Sequence, residues 1–264
     1  MKALLDGDIV AYRCAATAQN DPEWVATSRT NTLVEQILQE TAAKEYQIYL
    51  SNPVNFRRKM YPQYKANRTA PPPVHLALCK QYLVEKWGAV WAPEGYEADD
   101  SLGINQTSES IICSIDKDLK QIPGKHYNFV KKEFDEVDEF TGWYNFYIQL
   151  LVGDSSDNIR GCPGIGKAKA PKILAGCETE QEMFDVVQAT YNDDEFMLLN
   201  GQLLYILRKE NQYWNPASLI KQDRDQPLES TQQTQVENSL STEHGGMESK
   251  SAGNPVRGTP TASS

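Results

Sequence analysis

Eight acidic side chains fall in short groups between Asp6 and Asp157: Asp6 itself, Glu97 with Asp99 and Asp100, Asp116 with Asp118, and Asp154 with Asp157. Each group adjoins an apolar run that reads as a strand or helix end. Carboxylates gathered at one point repel and raise one another's pKa values, so a cluster of this size is tolerable only when hard cations neutralise it. The pairs Asp116/Asp118 and Asp154/Asp157 have spacings that can converge on one ion. Oxygen donors without a Cys/His grouping select Mg²⁺ or Mn²⁺ over zinc, and Mg²⁺ held by a few carboxylates keeps positions open for water and phosphate. Solvated surface acids are the alternative for any one group, but recurrence beside apolar segments argues against that reading for the set.

Two further segments carry positive charge in a chemical context. Residues 55–68, NFRRKMYPQYKANR, interleave cations with aromatics, as suits a surface that grips phosphates and stacks bases. On a helix Lys65 and Arg68 share a face and both reach one phosphate. Residues 161–174, GCPGIGKAKAPKIL, hold a Gly-Ile-Gly hairpin followed by a basic helix start. Small residues let the backbone approach a phosphate, and free amides and lysines supply donors. This predicts a helix-hairpin-helix type of reader of the DNA backbone, with Gly164, Gly166, Lys167 and Lys169 as contacts. Pro171 is tolerable there only in the first turn. His75, His126 and His244 are dispersed and suggest no role.

The elements that must position these groups alternate. A strand over 1–5 delivers Asp6, Gly7 turns into a helix over 9–18, a helix covers 32–43, and 47–50 is a second strand. After Pro71-Pro72-Pro73 comes an amphipathic helix over 74–87. Glu97–Ile104 begins a helix with acids at the favourable end of its dipole. The strand at 110–115 ends at Asp116, short strands follow within 127–137, and helices dominate beyond Gly142, ending in 202–208. Such alternation predicts an open, mainly parallel, twisted α/β sheet flanked by helices, with its site at the carboxyl edge of the strands.

The expected organisation is an α/β domain over 1–141 with a basic and aromatic segment within it at about 52–73, a helical subdomain over 142–220, and a disordered tail over 221–264. The tail is rich in Gln, Ser, Thr, Gly and Pro and nearly lacks large apolar residues. The net charge of -10, taken over the whole chain, argues against a polyanionic partner. With residues 222–264 and the eight clustered carboxylates set aside, 22 acids face 23 basic residues. Five cysteines without paired spacing suggest neither a zinc site nor a disulfide framework, hence a reducing compartment. No basic stretch with an apolar core opens the chain, and no run approaches a membrane span, which together point to a cytoplasmic location.

In this order the segments LLDGD at 4–8, NFRRKMYPQYKANR at 55–68, EADD at 97–100, SIDKDL at 114–119 and GDSSDNIRGCPGIGKAKAPKIL at 153–174 make the chain resemble the flap endonuclease and 5′ nuclease superfamily. The fold of that superfamily is PIN-like, and the likeness is strongest to the 5′→3′ exonucleases of short-tailed phages, which would place the chain in a host cytoplasm. The resemblance implies that Asp6, Glu97, Asp99, Asp100, Asp116, Asp118, Asp154 and Asp157 bind two or more Mg²⁺ or Mn²⁺ ions, directly or through water. It implies catalysis by Asp116, Asp118, Lys65 and Arg68, a DNA-facing helical arch carrying Arg57, Tyr64, Lys65 and Arg68, and K⁺ at the hairpin 161–166. It also implies hydrolysis of duplex DNA with 5′ ends or flaps and of RNA in RNA/DNA hybrids, with two ions about 4 Å apart assisting. Roles in phage replication, primer removal or DNA degradation follow, and replication proteins are open as partners. A structure-selective flap endonuclease is the near alternative, and a non-catalytic DNA-binding module the distant one. Relatives often carry a further metal-site Asp where this chain has Ser51-Asn52-Pro53. The resemblance therefore implies that one outer ligand is neutral or missing, altering metal affinity rather than activity.

Overall fold

The computed structural model describes residues 1–224. All but the first four positions of the expected tail lie outside the described residues. The chain opens with β1 (Lys2–Asp6), α1 (Gly7–Thr17), α2 (Glu23–Thr41), β2 (Glu45–Leu50), α3 (Phe56–Met60), α4 (Leu76–Trp87) and β3 (Val90–Trp91). It continues through α5 (Ala98–Asn105), β4 (Ser110–Cys113), a 3₁₀ turn (Asp118–Gln121), β5 (Gly124–Asn128) and β6 (Glu133–Val137). Then come α6 (Glu139–Val152), a hairpin of β7 (Gly153–Asp154) and β8 (Ile159–Arg160), α7 (Ala170–Ile173), α8 (Glu180–Tyr191), α9 (Asp194–Leu204) and α10 (Ala217–Arg224).

Six strands form one sheet in the order β3-β2-β1-β4-β5-β6. The first five are parallel, and β6 returns antiparallel to β5 at the edge. The pleat sorts the buried residues by alternation. Ala3 and Leu5 of β1 join Val10, Ala11, Val34, Ile37 and Leu83 of α1, α2 and α4 on one face. Leu4 packs on the other face with Ala98 and Leu102 of α5 and with Ile206. Burying each of the Val, Leu and Ile side chains among them contributes roughly 1.5–3 kcal/mol.

The order reverses at β1, since the chain builds outward through β2 and β3 and then returns to lay β4 on β1's other side. Such a switch point opens a crevice at the carboxyl ends of the strands. Gly7 is required there, because a Cβ on it would lie 2.6 Å from the Tyr49 carbonyl oxygen of the adjoining strand. The helical part has its own core around α6, where Phe146, Tyr147, Leu150 and Leu151 meet Met183, Phe184, Val187, Met197 and Trp214.

Three expectations need correction. The arch segment is helical only over Phe56–Met60, and Lys65 sits in a turn with φ 56 rather than on a helix with Arg68. Pro62 lacks the amide a continuing helix needs, and the Lys65 amide donates instead to the Asp157 carbonyl at 2.9 Å. The helical run expected beyond Gly142 is interrupted by the β7–β8 hairpin, with Asp154 on β7 and Asp157 in the connecting turn. Finally, α9 stops at Leu204, and 205–207 are extended, inserting Ile206 and Leu207 into the core.

Candidate active site and metal centre

Asp6 caps α1: one carboxylate oxygen accepts from the Ile9 amide at 3.1 Å, the other from the Ser114 hydroxyl at 2.8 Å. Ser114 also accepts from the Asp116 amide at 3.0 Å, and Asp116 accepts from the Asp118 amide at 2.9 Å. The ends of β1 and β4 are thereby tied across the switch point. Asp99, in the first turn of α5, has no hydrogen-bond partner among the described residues. Asp6, Asp99, Asp116 and Glu97 line one cavity of about 550 Å³, together with Asp8, Lys65 and Arg68.

The carboxylates of this cavity are buried and close enough to repel one another. Burial, reinforced by Asp8 and Asp116, pushes the Asp6 carboxyl up to about 7. Burial and repulsion from Asp6 and Asp116 hold the Asp99 carboxyl well above the ordinary carboxylate range. Asp118 is pushed up to about 6 by burial and by Asp116. Asp154 lies below its ordinary value because bonds from the Ser156 hydroxyl and amide outweigh its burial. Asp154 acts electrostatically on Asp118, so the acids form a chain from Asp6 and Asp99 through Asp116 to Asp118 and Asp154.

A second set of carboxylates is already neutralised. Glu97 accepts from Lys65 Nζ at 2.5 Å, from the Tyr64 hydroxyl at 2.7 Å and from Arg57 at 3.4 Å. Despite burial, Lys65 and Arg57 lower its carboxyl to about 2. Asp157 accepts from Arg68 at 2.5 Å and from Tyr64 at 3.1 Å. Asp100 is fully buried and receives both ends of the Arg57 guanidinium, at 2.7 and 2.8 Å. Its Oδ2 also accepts from the Glu97 amide, while its Oδ1 accepts from the Leu207 amide.

The structure thus brings Asp6, Asp99, Asp116 and Glu97 to one cavity and sets Asp118 and Asp154 beside it. It turns Asp100 into the core, where its lone pairs are used. Arg57, expected on the DNA face, is 3 % exposed and spans Asp100 and the carbonyls of Leu203 and Tyr205. Tyr64 is buried for the same reason, with its hydroxyl spent on Glu97 and Asp157. Gly164, Gly166, Lys167 and Lys169 remain exposed on the hairpin, where Gly164 takes φ 75. The helix after it, α7, has only four residues, with Pro171 in its first turn.

Sequence reasoning missed Asp8 and Lys80. Asp8 accepts from the Ser51 amide at 2.9 Å and from Lys80 Nζ at 2.5 Å. The Asp-Gly-Asp repeat at 6–8 was a signal for Asp8, whereas nothing in α4 distinguished Lys80 before α1 and α4 packed together. Asn52 lines the cavity as a neutral side chain, with its amide donating to the Ala92 carbonyl and its oxygen accepting from the Val54 amide.

Among the described residues no three His, Cys, Asp or Glu side chains stand close enough together to hold one metal ion between them. The donor set nevertheless fits hard divalent ions. It is all oxygen, it lines an open cavity, and burial and mutual repulsion lift Asp6 and Asp99, which a cation would relieve.

A mainly parallel sheet with carboxylates at its switch point and a basic segment beside them defines a nuclease-like α/β fold. A bacteriophage T5 5′-exonuclease with bound zinc has the same fold at a TM-score of 0.61, with 17 % identity over 77 % of this chain and 89 % of that one. A T5 flap endonuclease variant in complex with DNA and metal ions superposes at 0.60, with 16 % identity over 78 % of this chain and 88 % of that one. The family model "5′-3′ exonuclease, N-terminal resolvase-like domain" matches residues 2–144. The chain therefore belongs to the 5′-3′ exonuclease family. A 5′-3′ exonuclease of Halalkalibacterium halodurans is 31 % identical over 182 residues, 58 % of this chain and 59 % of that protein. DNA polymerase I of Borreliella burgdorferi is 30 % identical over 178 residues, 60 % of this chain and 19 % of that one. The chain spans about a fifth to a quarter of the DNA polymerase I relatives it matches from Borreliella, Caldicellulosiruptor and Thermus. Among the described residues no helix is long and apolar enough to cross a membrane.

Proposed function

We propose that the protein is a divalent-metal-dependent 5′→3′ exonuclease acting on duplex DNA and on RNA in RNA/DNA hybrids. The observation that carries this reading is the single cavity in which Asp6, Asp99, Asp116 and Glu97 face Lys65 and Arg68. Asp6, Asp99 and Asp116 would hold one ion, directly or through water, and Asp118 with Asp154 a second, with Mg²⁺ or Mn²⁺ as the ions. Bound there, such ions supply charge that stabilises the attacking and leaving oxygens of a phosphodiester. The protein's own contribution is positional. Ser114 fixes Asp6 and the Asp116 backbone relative to each other. Lys65 and Arg68, now paired with Glu97 and Asp157, lie within the same cavity and would meet charge developing on the phosphate. The hairpin 161–169 would bind duplex backbone away from the cut, with K⁺ held at 161–166, and residues 142–220 would form this DNA-anchoring subdomain.

The test is product analysis on duplexes labelled at the 5′ or 3′ end, with Mg²⁺ and with EDTA. Mono- or short oligonucleotides released from the 5′ end only with metal are expected. Release of an intact labelled flap would make the protein a flap endonuclease instead. Asp116→Asn combined with Asp118→Asn should abolish cleavage while duplex binding persists, and retained turnover in Mg²⁺ would sink the metal assignment.

A further inference from the structure

Trp91 ends the two-residue edge strand β3 and is 46 % exposed, an unusual state for an indole, which ordinarily gains by burial. Exposure alone means little, since Trp24 is 70 % exposed on α2. Trp91 differs in its surroundings, because it lines the same cavity as Asp6, Asp99 and Asp116, whereas Trp24 does not. Beside it stands a fixed cation. Lys80 Nζ lies 5.7 Å from the centre of the indole ring and 2.5 Å from Asp8 Oδ1. Asp8 is itself held by the Ser51 amide. A lysine swinging freely on its stem would lose entropy on gripping a phosphate, and Asp8 has already restrained this one. An ammonium has three donors, so the bond to Asp8 leaves others for a phosphate oxygen.

Every nucleobase has a face that can stack on an aromatic ring, and a phosphate always accompanies it at fixed reach. An exposed indole beside an anchored ammonium, both on the wall of the carboxylate cavity, matches that pair of groups. We propose that Trp91 and Lys80 form a nucleotide station in the active-site cavity, where Trp91 stacks a base next to the scissile phosphate and Lys80 binds an adjacent phosphate. The station rests on the nuclease reading and deepens it, since α4 and β3, not the arch segment, would then set which phosphate reaches the carboxylates. Because stacking reads no base edge, the station is indifferent to sequence.

Binding of 5′-recessed and blunt duplexes carrying one abasic nucleotide, stepped along the first six positions from the 5′ end, tests this with EDTA present. The wild-type chain should lose roughly 5- to 100-fold in affinity when the abasic nucleotide falls at one position or two neighbouring ones. Trp91→Leu should erase that position-specific loss, and Trp91→Phe should retain most of it, which also guards against misfolding as the cause. Lys80→Met should lower the magnitude of the salt-dependence slope by about one. A penalty that persists unchanged in Trp91→Leu, or wild-type binding indifferent to every abasic position, overturns the station. If the wild type meanwhile releases nucleotides in Mg²⁺, the nuclease reading stands without it; if it neither binds nor cuts DNA, both readings fall.

Discussion

Two groups of carboxylates a few residues apart in sequence have opposite fates. Glu97 and Asp100 are satisfied by Lys65, Tyr64 and Arg57, and Glu97 stays ionised down to about 2. Asp99, between them in sequence, has no partner among the described residues and is pushed upward with Asp6. On the first turn of α5, successive side chains point about 100° apart, so adjacent acids face different surroundings. One face locks the arch segment to the core and the other presents unneutralised oxygen to the cavity. Stability and chemistry are thereby separated within the four residues EADD.

The largest effect should come from breaking the locked side. Arg57→Met leaves Asp100 buried without its counter-charge, which should cost about 3–5 kcal/mol of stability, read by urea unfolding of the metal-free protein. A loss below about 1 kcal/mol would mean that Asp100 finds another partner or water and that the contrast is overstated.

Next comes the group that bridges the two sides. Lys65 now neutralises Glu97 but lies in the cavity, so Lys65→Ala should slow single-turnover cleavage at saturating enzyme by about 10²–10³-fold, as for removal of one transition-state donor. A normal rate with weaker binding would make Lys65 a phosphate anchor.

The two sides should also differ in pH dependence. Asp6, raised from 3.8 to about 7, contributes stability that is complete below about pH 4 and is lost as pH climbs through about 7. Asp118, raised to about 6, acts in the same sense. Glu97 has the opposite sign: its stabilisation is present above 4.5 and is lost as pH falls through about 2. Between pH 4.5 and 8, therefore, the metal-free protein should lose thermal stability with rising pH, and Mg²⁺ should flatten the slope by neutralising the cavity. Melting curves in EDTA and in Mg²⁺ decide this; a slope the ion leaves unchanged would place the titrating groups elsewhere.

The smallest effect belongs to the hairpin, outside both groups. Lys167→Ala with Lys169→Ala should weaken duplex binding similarly for all sequences and reduce the magnitude of the salt slope by about two, as two phosphate contacts are lost. An unchanged slope would remove this surface from the interface.

The sequence by itself determined the alternating α/β order and the delivery of Asp6 at the end of β1 and of Asp116 just beyond β4, because a short continuous apolar run, buried on both faces of a parallel sheet and closed by polar or Gly residues, leaves the chain few alternatives. It also made the acids at 97–100 a helix start, as capping physics requires. Which of those acids faces the cavity was not legible, since that depends on the phase of α5 against β1 and on Arg57 arriving from 40 residues upstream of Glu97. The turn at Lys65 was only half legible: Pro62 argued against a continuing helix, but the carbonyl of Asp157, brought in by the β7–β8 hairpin to capture the Lys65 amide, is not encoded by any local pattern. Asp8, Lys80 and Trp91 met in one cavity through packing of α1, α4 and β3, which no spacing encodes. Local order follows from hydrogen bonding and hydrophobic period along the chain, whereas the partner of a buried charge is chosen by whichever distant segment can neutralise it, and that choice is made only when the core closes.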